Sequence, residues 1–200
     1  AIEGLAPKEN MKAWVDRKLY IHNLGHATSA YLAFVQNPEY FYLYEALANV
    51  RIYTAVRETM LQAANILKVK YPGEFTDEGL TGHIDDLLLR FQNRSLGDTI
   101  FRVGCDLMRK LAPEDRIAGA IRLAIELGLP YDRILYAMVC GSRFRVKDEQ
   151  GHLLKDDMEF SKIYAEGIDA VLTQVCGFNP TDHSILYRQA KEIENNLSVS

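Results

Sequence analysis

Residues 11–35 read MKAWVDRKLYIHNLGHATSAYLAFV and predict a helix of about seven turns. Within this run Leu24, Ala27, Tyr31 and Phe34 follow one another at three- and four-residue steps, which is the spacing of one buried helical face. The run ends before Asn37-Pro38, a pair that favours a turn. A long amphipathic helix near the start therefore sets the expected class of the fold.

The same periodicity continues along the rest of the chain and indicates an all-α, multi-helical single domain over residues 1–200. Gly and Pro separate the apolar runs, as in Gly128-Leu-Pro130, and no Asn-Gly or Asp-Gly hairpin turn or sustained period-2 alternation occurs. Residues 146–157 are polar and predict a loop. Further helices are predicted over residues 39–70, 76–91, 97–111, 113–127, 131–144, 158–175 and 180–196.

Composition excludes several classes of function. A net charge of −4 without any basic run argues against nucleic-acid binding, and the apolar stretches are too short to cross a membrane. No secretory signal follows Ala1. Cys105, Cys140 and Cys176 form no CxxC pair, which argues against a zinc ribbon or a disulfide framework. These features predict a cytoplasmic protein in a reducing compartment.

A polar face on the first predicted helix carries the candidate chemistry. At about 100° per residue, with Lys18 at zero, His22, His26 and Asn23 fall at about 40°, 80° and 140°. A lysine that exchanges a proton beside hydrogen-bonding side chains suits the oxidation of an alcohol or the reduction of a carbonyl. Two alternatives stay open: an incidental polar face, or a zinc pair formed by His22 and His26, which lacks the glutamate of HExxH and a third ligand.

Three blocks of sequence together resemble a known family. Residues 17–27, RKLYIHNLGHA, resemble the Lys-x4-Asn-x2-His signature of the polyol-specific long-chain dehydrogenases. Residues 90–93, RFQN, followed by residues 98–116, DTIFRVGCDLMRKLAPEDR, resemble the family's next motif, and residues 126–130, ELGLP, resemble the one after it. The resemblance runs from about Ala6 to the last helix. Within the second block, the RKL-x3-DR string favours the mannitol-1-phosphate branch over the free-mannitol and hexuronate (fructuronate or tagaturonate) reductase branches.

The resemblance implies a fold and catalytic roles. The chain would be a C-terminal helical domain in the style of 6-phosphogluconate dehydrogenase and its relatives. Lys18 would be the general base that removes a hydroxyl proton from the substrate. Asn23 would donate a hydrogen bond to the oxygen that gains negative charge, and His26 would hold a substrate hydroxyl or orient the lysine.

Four cations are implied as substrate-binding residues. Arg102 and Lys110 match family positions that bind the polyol chain, and Arg109 and Arg116 are the additional cations assigned to a phosphate. The alternative for Arg109, Lys110 and Arg116 is a solvated helix end whose charge is balanced by the neighbouring acidic residues.

The chain lacks a nucleotide-binding motif, since no GxGxxG follows a strand. The resemblance therefore implies that NAD or NADP is bound by an N-terminal Rossmann domain outside this chain and that no metal is needed. The implied reaction interconverts a polyol or its phosphate with the ketose, as between mannitol-1-phosphate and fructose-6-phosphate. We expect the isolated chain to be inactive and to self-associate through uncovered apolar helix faces. A non-catalytic helical interaction domain is the rival hypothesis.

Overall fold

The helices of the chain differ widely in length and several are interrupted. A computed structural model describes residues 10–199, so the start of the resemblance near Ala6 and the limits of the predicted domain lie outside the described part. The α-helices are α1 (Met11–Arg17), α2 (Leu24–Gln36), α3 (Leu43–Leu47), α4 (Val50–Lys70), α5 (Asp77–Phe91), α6 (Ile100–Gly104), α7 (Leu107–Lys110), α8 (Ala118–Leu127), α9 (Asp132–Ser142), α10 (Lys155–Ala165), α11 (Ile168–Ala170) and α12 (Ser184–Val199).

Two π-helical turns and one 3₁₀ turn complete the secondary structure. The π turns are π1 (Lys18–Asn23) and π2 (Val171–Val175), and the 3₁₀ turn covers Arg94–Leu96. Within residues 10–199 there is no strand, and the single antiparallel bridge joins Tyr42 to Thr99. The prediction of an all-α fold is confirmed.

The first predicted helix forms as one continuous rod made of α1, π1 and α2. Asn10 begins it, because its side-chain oxygen accepts a hydrogen bond from the backbone N–H of Ala13 at 3.2 Å. The rod ends at Gln36, because the next residue, Asn37, has an extended backbone. Its length agrees with the prediction, but the regular α-helical geometry assumed for it is wrong between Lys18 and Asn23.

Three other predicted helices are interrupted where a side chain or backbone conformation stops them. Residues 39–70 divide into α3 and α4, because extended Asn49 caps α4 by accepting from the N–H of Arg51 at 2.9 Å. Residues 97–111 break at Asp106, whose φ of 73° is left-handed. Residues 158–175 break at Gly167, with φ 105°, and this helix begins earlier than predicted, at Lys155. The helix predicted from 113 begins only at Ala118.

Helix α2 is the centre of the molecule and packs on α4, α6 and α9. Small residues allow the close crossings: a Cβ added to Gly25 would lie 2.7 Å from Cγ of Met60 on α4. Tyr31 on α2 is fully buried, and its ring contacts Phe144 at a centroid distance of 5.5 Å. Because α2 is enclosed in this way, π1 and the first turn of α2 have a fixed position relative to α5 and α6.

Candidate active site

The π1 turn changes which side chains share a face. The N–H of Leu24 bonds to the carbonyl of Leu19, which is the i→i+5 pattern of a π-helix. Residues five apart therefore lie on the same side, and this applies to Lys18 and Asn23. The predicted angle of about 140° between Lys18 and Asn23 assumes a regular α-helix. It is too large, because the π1 turn contains an extra residue. Lys18 is exposed and Asn23 is half-buried.

His26 lies one turn further along, between an aromatic ring and a carboxylate. Its Nε2 is 2.9 Å from Oδ2 of Asp98, and its ring stacks on Phe91 with centroids 4.6 Å apart and an interplanar angle of 19°. His22 contacts the same Phe91 ring at 5.6 Å and lies 6.3 Å from His26. In the described part of the chain no three His, Cys, Asp or Glu side chains form a group that could hold a metal.

The surroundings of His26 favour a neutral ring. Burial, together with charge repulsion from the nearby His22, Arg102, Lys110 and Arg116, lowers the pKa of His26 to about 3. Burial also lowers the pKa of His22, as do cations that include Lys18. At neutral pH both rings are therefore uncharged and act as hydrogen-bonding groups.

Arg102 and Lys110 lie on the same side of the site but differ in accessibility. Arg102 forms an ion pair with Asp98, and its side chain is 62% exposed. Lys110 is buried, and its Nζ donates to the carbonyl oxygens of Val103, at 2.7 Å, and Cys105. Burial lowers the pKa of Lys110 to about 8. An ammonium has three donors, so one donor of Lys110 remains for a ligand.

Arg109 and Arg116 occupy different places. Nε of Arg116 lies 2.7 Å from Oδ1 of Asp115, and its guanidinium reaches the backbone carbonyl of Asn23 at 3.5 Å. Arg109 is more exposed and pairs with Asp106 at 2.5 Å and with Asp115 at 3.8 Å. The structure therefore connects Arg116 directly to the π1 turn, whereas Arg109 lies further out. The charge of each arginine is balanced by a neighbouring aspartate, which is also what the alternative of a solvated helix end predicts.

Sequence reasoning missed two residues of this site. Asp98 binds His26 and Arg102, and Phe91 supports both histidine rings. Asp98 had a signal, because it lies four residues before Arg102 inside the second motif block. Phe91 had a signal as well, because it belongs to the RFQN stretch that opens the same motif block.

The candidate side chains supply amide, imidazole, guanidinium and ammonium groups, and such groups bind hydroxyl oxygens. A dinucleotide site requires a strand, a glycine-rich turn and a helix, and residues 10–199 contain no strand. None of the helices described combines the length and apolar character that crossing a bilayer requires.

Comparisons with known proteins find relatives that match most of the chain. Residues 10–181 match the sequence model of a protein family, the mannitol dehydrogenase C-terminal domain. Mannitol-1-phosphate 5-dehydrogenase of Caldanaerobacter subterraneus is 32% identical over 74% of this chain and 37% of its own length. The protein of the same name from Pyricularia oryzae is 30% identical over 96% of this chain and 46% of its own length. The chain thus spans less than half of these relatives.

Solved structures show the same fold. One match is mannitol 2-dehydrogenase of Pseudomonas fluorescens in a ternary complex with NAD and D-mannitol. The match covers 96% of this chain and 39% of the other chain, with a TM-score of 0.74 and 17% sequence identity. A D-sorbitol dehydrogenase in substrate-free form matches 96% of this chain and 42% of its own with a TM-score of 0.72 at 20% identity. The predicted resemblance to the C-terminal helical domain of polyol dehydrogenases is confirmed.

Proposed function

Because the chain belongs to the mannitol dehydrogenase C-terminal domain family, we propose that it is the substrate-binding and proton-transferring half of a polyol dehydrogenase. The observation that supports the proposal is the π1 turn, because residues five apart on such a turn, here Lys18 and Asn23, face the same side, and His26 follows on the next turn. The names of the relatives favour mannitol-1-phosphate as the polyol. Fructose-6-phosphate would then be the ketose, as the resemblance implies.

Lys18 is the group that we propose to accept the proton of the reacting hydroxyl. A lysine in water has a pKa of about 10.4, and it becomes an effective base when water is removed from around it. Lys18 is exposed in this chain. A second domain that covers it would supply the missing desolvation, which is why we propose that the reaction needs more than these 200 residues.

The neighbouring polar groups hold the substrate in this proposal. The Asn23 amide donates to the oxygen that becomes anionic as its proton leaves, and His26 holds an adjacent hydroxyl. Arg102 and the free donor of Lys110 bind hydroxyls further along the polyol chain. Arg116 and Arg109 bind the phosphate, which would compete with Asp115 for both guanidinium groups.

The nucleotide belongs to another part of the protein in this proposal. NAD or NADP takes the hydride from the carbon whose hydroxyl proton is removed. A Rossmann domain, which the greater length of the relatives can accommodate, would bind it. The chain itself provides the hydrogen bonds and the base described above.

The test uses the full-length protein that contains this chain. We expect formation of NADH or NADPH from mannitol-1-phosphate, and Lys18→Ala should lower kcat by roughly 10²- to 10⁴-fold. Nucleotide affinity should remain unchanged, because Lys18 contacts only the reacting hydroxyl in this proposal. Lys155→Ala, which removes an exposed lysine at the start of α10, is the matched control and should leave kcat unchanged.

Two further outcomes separate the alternatives. Normal turnover by Lys18→Ala would contradict the catalytic role of Lys18 and favour a non-catalytic interaction domain. Formation of NADH or NADPH by the isolated chain would contradict the proposal that a second domain is needed. Faster turnover of free mannitol or of fructuronate than of mannitol-1-phosphate would assign the protein to one of the other branches.

A further inference from the structure

Asp98 joins two residues of the site, His26 on α2 and Arg102 on α6. Oδ2 of Asp98 is 2.9 Å from Nε2 of His26, and its other oxygen pairs with Arg102. We propose that Asp98 is a positioning residue that holds His26 as the Nε2–H tautomer and aims both side chains at the substrate. This proposal rests on the proposed function, because it concerns how the same site is organised.

Asp98 is suited to this role because its own backbone is fixed on both sides. Its carbonyl accepts a hydrogen bond from the N–H of Leu43 at 2.8 Å. The next residue, Thr99, bridges to Tyr42, and Ile100 donates to the carbonyl of Phe41 at 2.8 Å. The residue is 7% exposed. A carboxylate held in this way has a defined direction before any ligand arrives.

The tautomer follows from the chemistry of the pair. A carboxylate only accepts hydrogen bonds, and a neutral imidazole donates through one nitrogen and accepts through the other. Because Nε2 of His26 faces the carboxylate of Asp98, Nε2 carries the proton and Nδ1 is the acceptor. The ring cannot turn freely, since it stacks on Phe91. His26 would therefore receive a hydrogen bond from a substrate hydroxyl or from the ammonium of Lys18.

The same carboxylate orients Arg102. The guanidinium is largely exposed, and its ion pair with Asp98 is what ties it to the position of His26. Asp98→Asn changes both contacts at once. The amide can donate as well as accept, so Nε2 of His26 can lose its proton to Nδ1, and Arg102 loses its ionic partner. The variant should thus perturb a hydrogen-bonding pattern that a purely space-filling role would leave intact.

The experiment combines NMR with kinetics on the full-length protein. With ¹⁵N placed only in histidine, and the signals of His26 assigned from a His26→Gln variant, we expect a single neutral Nε2–H tautomer in the wild type. Asp98→Asn should shift His26 towards the Nδ1–H form and lower kcat/KM for the polyol by roughly 10- to 100-fold. Asp86→Asn removes an exposed carboxylate near the end of α5 and should change neither quantity.

The outcomes distinguish the two proposals. An Nδ1–H tautomer or an exchanging mixture in the wild type would overturn the role of Asp98 without any variant, even if Asp98→Asn did not fold. Full kcat/KM in folded Asp98→Asn, together with loss of activity in Lys18→Ala, would overturn the role of Asp98 alone. A wild type without dehydrogenase activity would overturn the proposed function, while the NMR spectrum would still decide the tautomer.

Discussion

Gly104 ends α6 against the ring of Phe144, and this contact yields a sharp prediction. A Cβ added at Gly104 would lie 2.5 Å from Cε2 and 2.8 Å from Cε1 of Phe144, and closer still to Cζ, whereas ordinary van der Waals contact begins at 3.4 Å. The ring has little room to retreat, because Phe144 is 2% exposed and packs on Tyr31 and Phe34 at 5.5 and 5.4 Å. Gly104→Ala should therefore force α6 or the aromatic cluster to move.

The magnitude follows from two opposing effects. Overpacking a tight core costs about 1–3 kcal/mol, and the higher helix propensity of alanine offsets at most about 1 kcal/mol of that in the last turn of α6. Gly82→Ala isolates the second effect, because Gly82 lies within α5 and nothing stands within 4 Å of its added Cβ. We expect Gly82→Ala to raise the free energy of unfolding by about 0.5–1 kcal/mol and Gly104→Ala to be less stable than Gly82→Ala by about 1–3 kcal/mol.

Urea denaturation of the wild type and both variants measures this difference, with the slope m as a check that the unfolded state is unchanged. At this chain length each kcal/mol corresponds to a shift in Tm of about 2–4 °C. Gly104→Ala as stable as Gly82→Ala would refute the reasoning, since it would mean that the core around Phe144 yields freely. The displacement should also reach the site, because the carbonyl of Val103 binds Lys110.

Three further predictions concern stability. Asp157→Ala removes the carboxylate that accepts hydrogen bonds from the backbone N–H groups of Asp106 and Leu107, and it should lower the free energy of unfolding by about 1–3 kcal/mol in urea denaturation. The control Asp156→Ala removes an exposed carboxylate of the same helix turn and should lower it by less than about 1 kcal/mol. Equal losses in the two variants would contradict the prediction. Between pH 6.5 and about 3 unfolded His26 binds a proton that the folded ring does not. The free energy of unfolding should therefore fall with acidification by up to about 1.4 kcal/mol per pH unit, and His26→Asn should make the measured pH dependence shallower. Tyr71→Phe removes the 2.5 Å hydrogen bond to buried Asp16 and should cost about 1–2 kcal/mol by thermal or urea unfolding; no loss would show that Lys12 and Lys70 suffice to satisfy Asp16.

The sequence allowed the helical class and the long first helix to be predicted, because apolar spacing reports directly on which face is buried. The breaks at Asn49 and Asp106 could not be predicted with equal certainty. The first depends on a local cap, and the second depends on the carboxylate of Asp157, which lies about fifty residues away in the chain. A contact of that kind leaves no local periodic signal.

The site shows the same division between local and distant causes. Asn23 and His26 could be identified as candidates together with Lys18 because they follow one another in a single motif. The partner of His26, Asp98, is 72 positions away and comes close only when α6 packs on α2. Sequence spacing alone could not indicate the tautomer, because that depends on which nitrogen meets the carboxylate.

The π1 turn connects the fold to the proposed chemistry. A regular helix through this segment would separate Lys18 from Asn23 by about 140°, so a base and an amide could not easily meet one substrate oxygen. The extra residue removes that separation, while the continuous rod keeps α2 in register with the core. π turns are rare and occur frequently at functional sites, where a less favourable local geometry is retained for the side chains it presents. Deleting Leu19 should convert π1 to a regular α-helix in which Lys18 and the asparagine are four residues apart, about 40° on the helix surface, so the two side chains stay aligned. The full-length deletion variant should therefore keep its turnover while circular dichroism reports an unchanged helix content. Loss of turnover in the folded variant would show that the alignment of Lys18 with Asn23 is not what π1 provides.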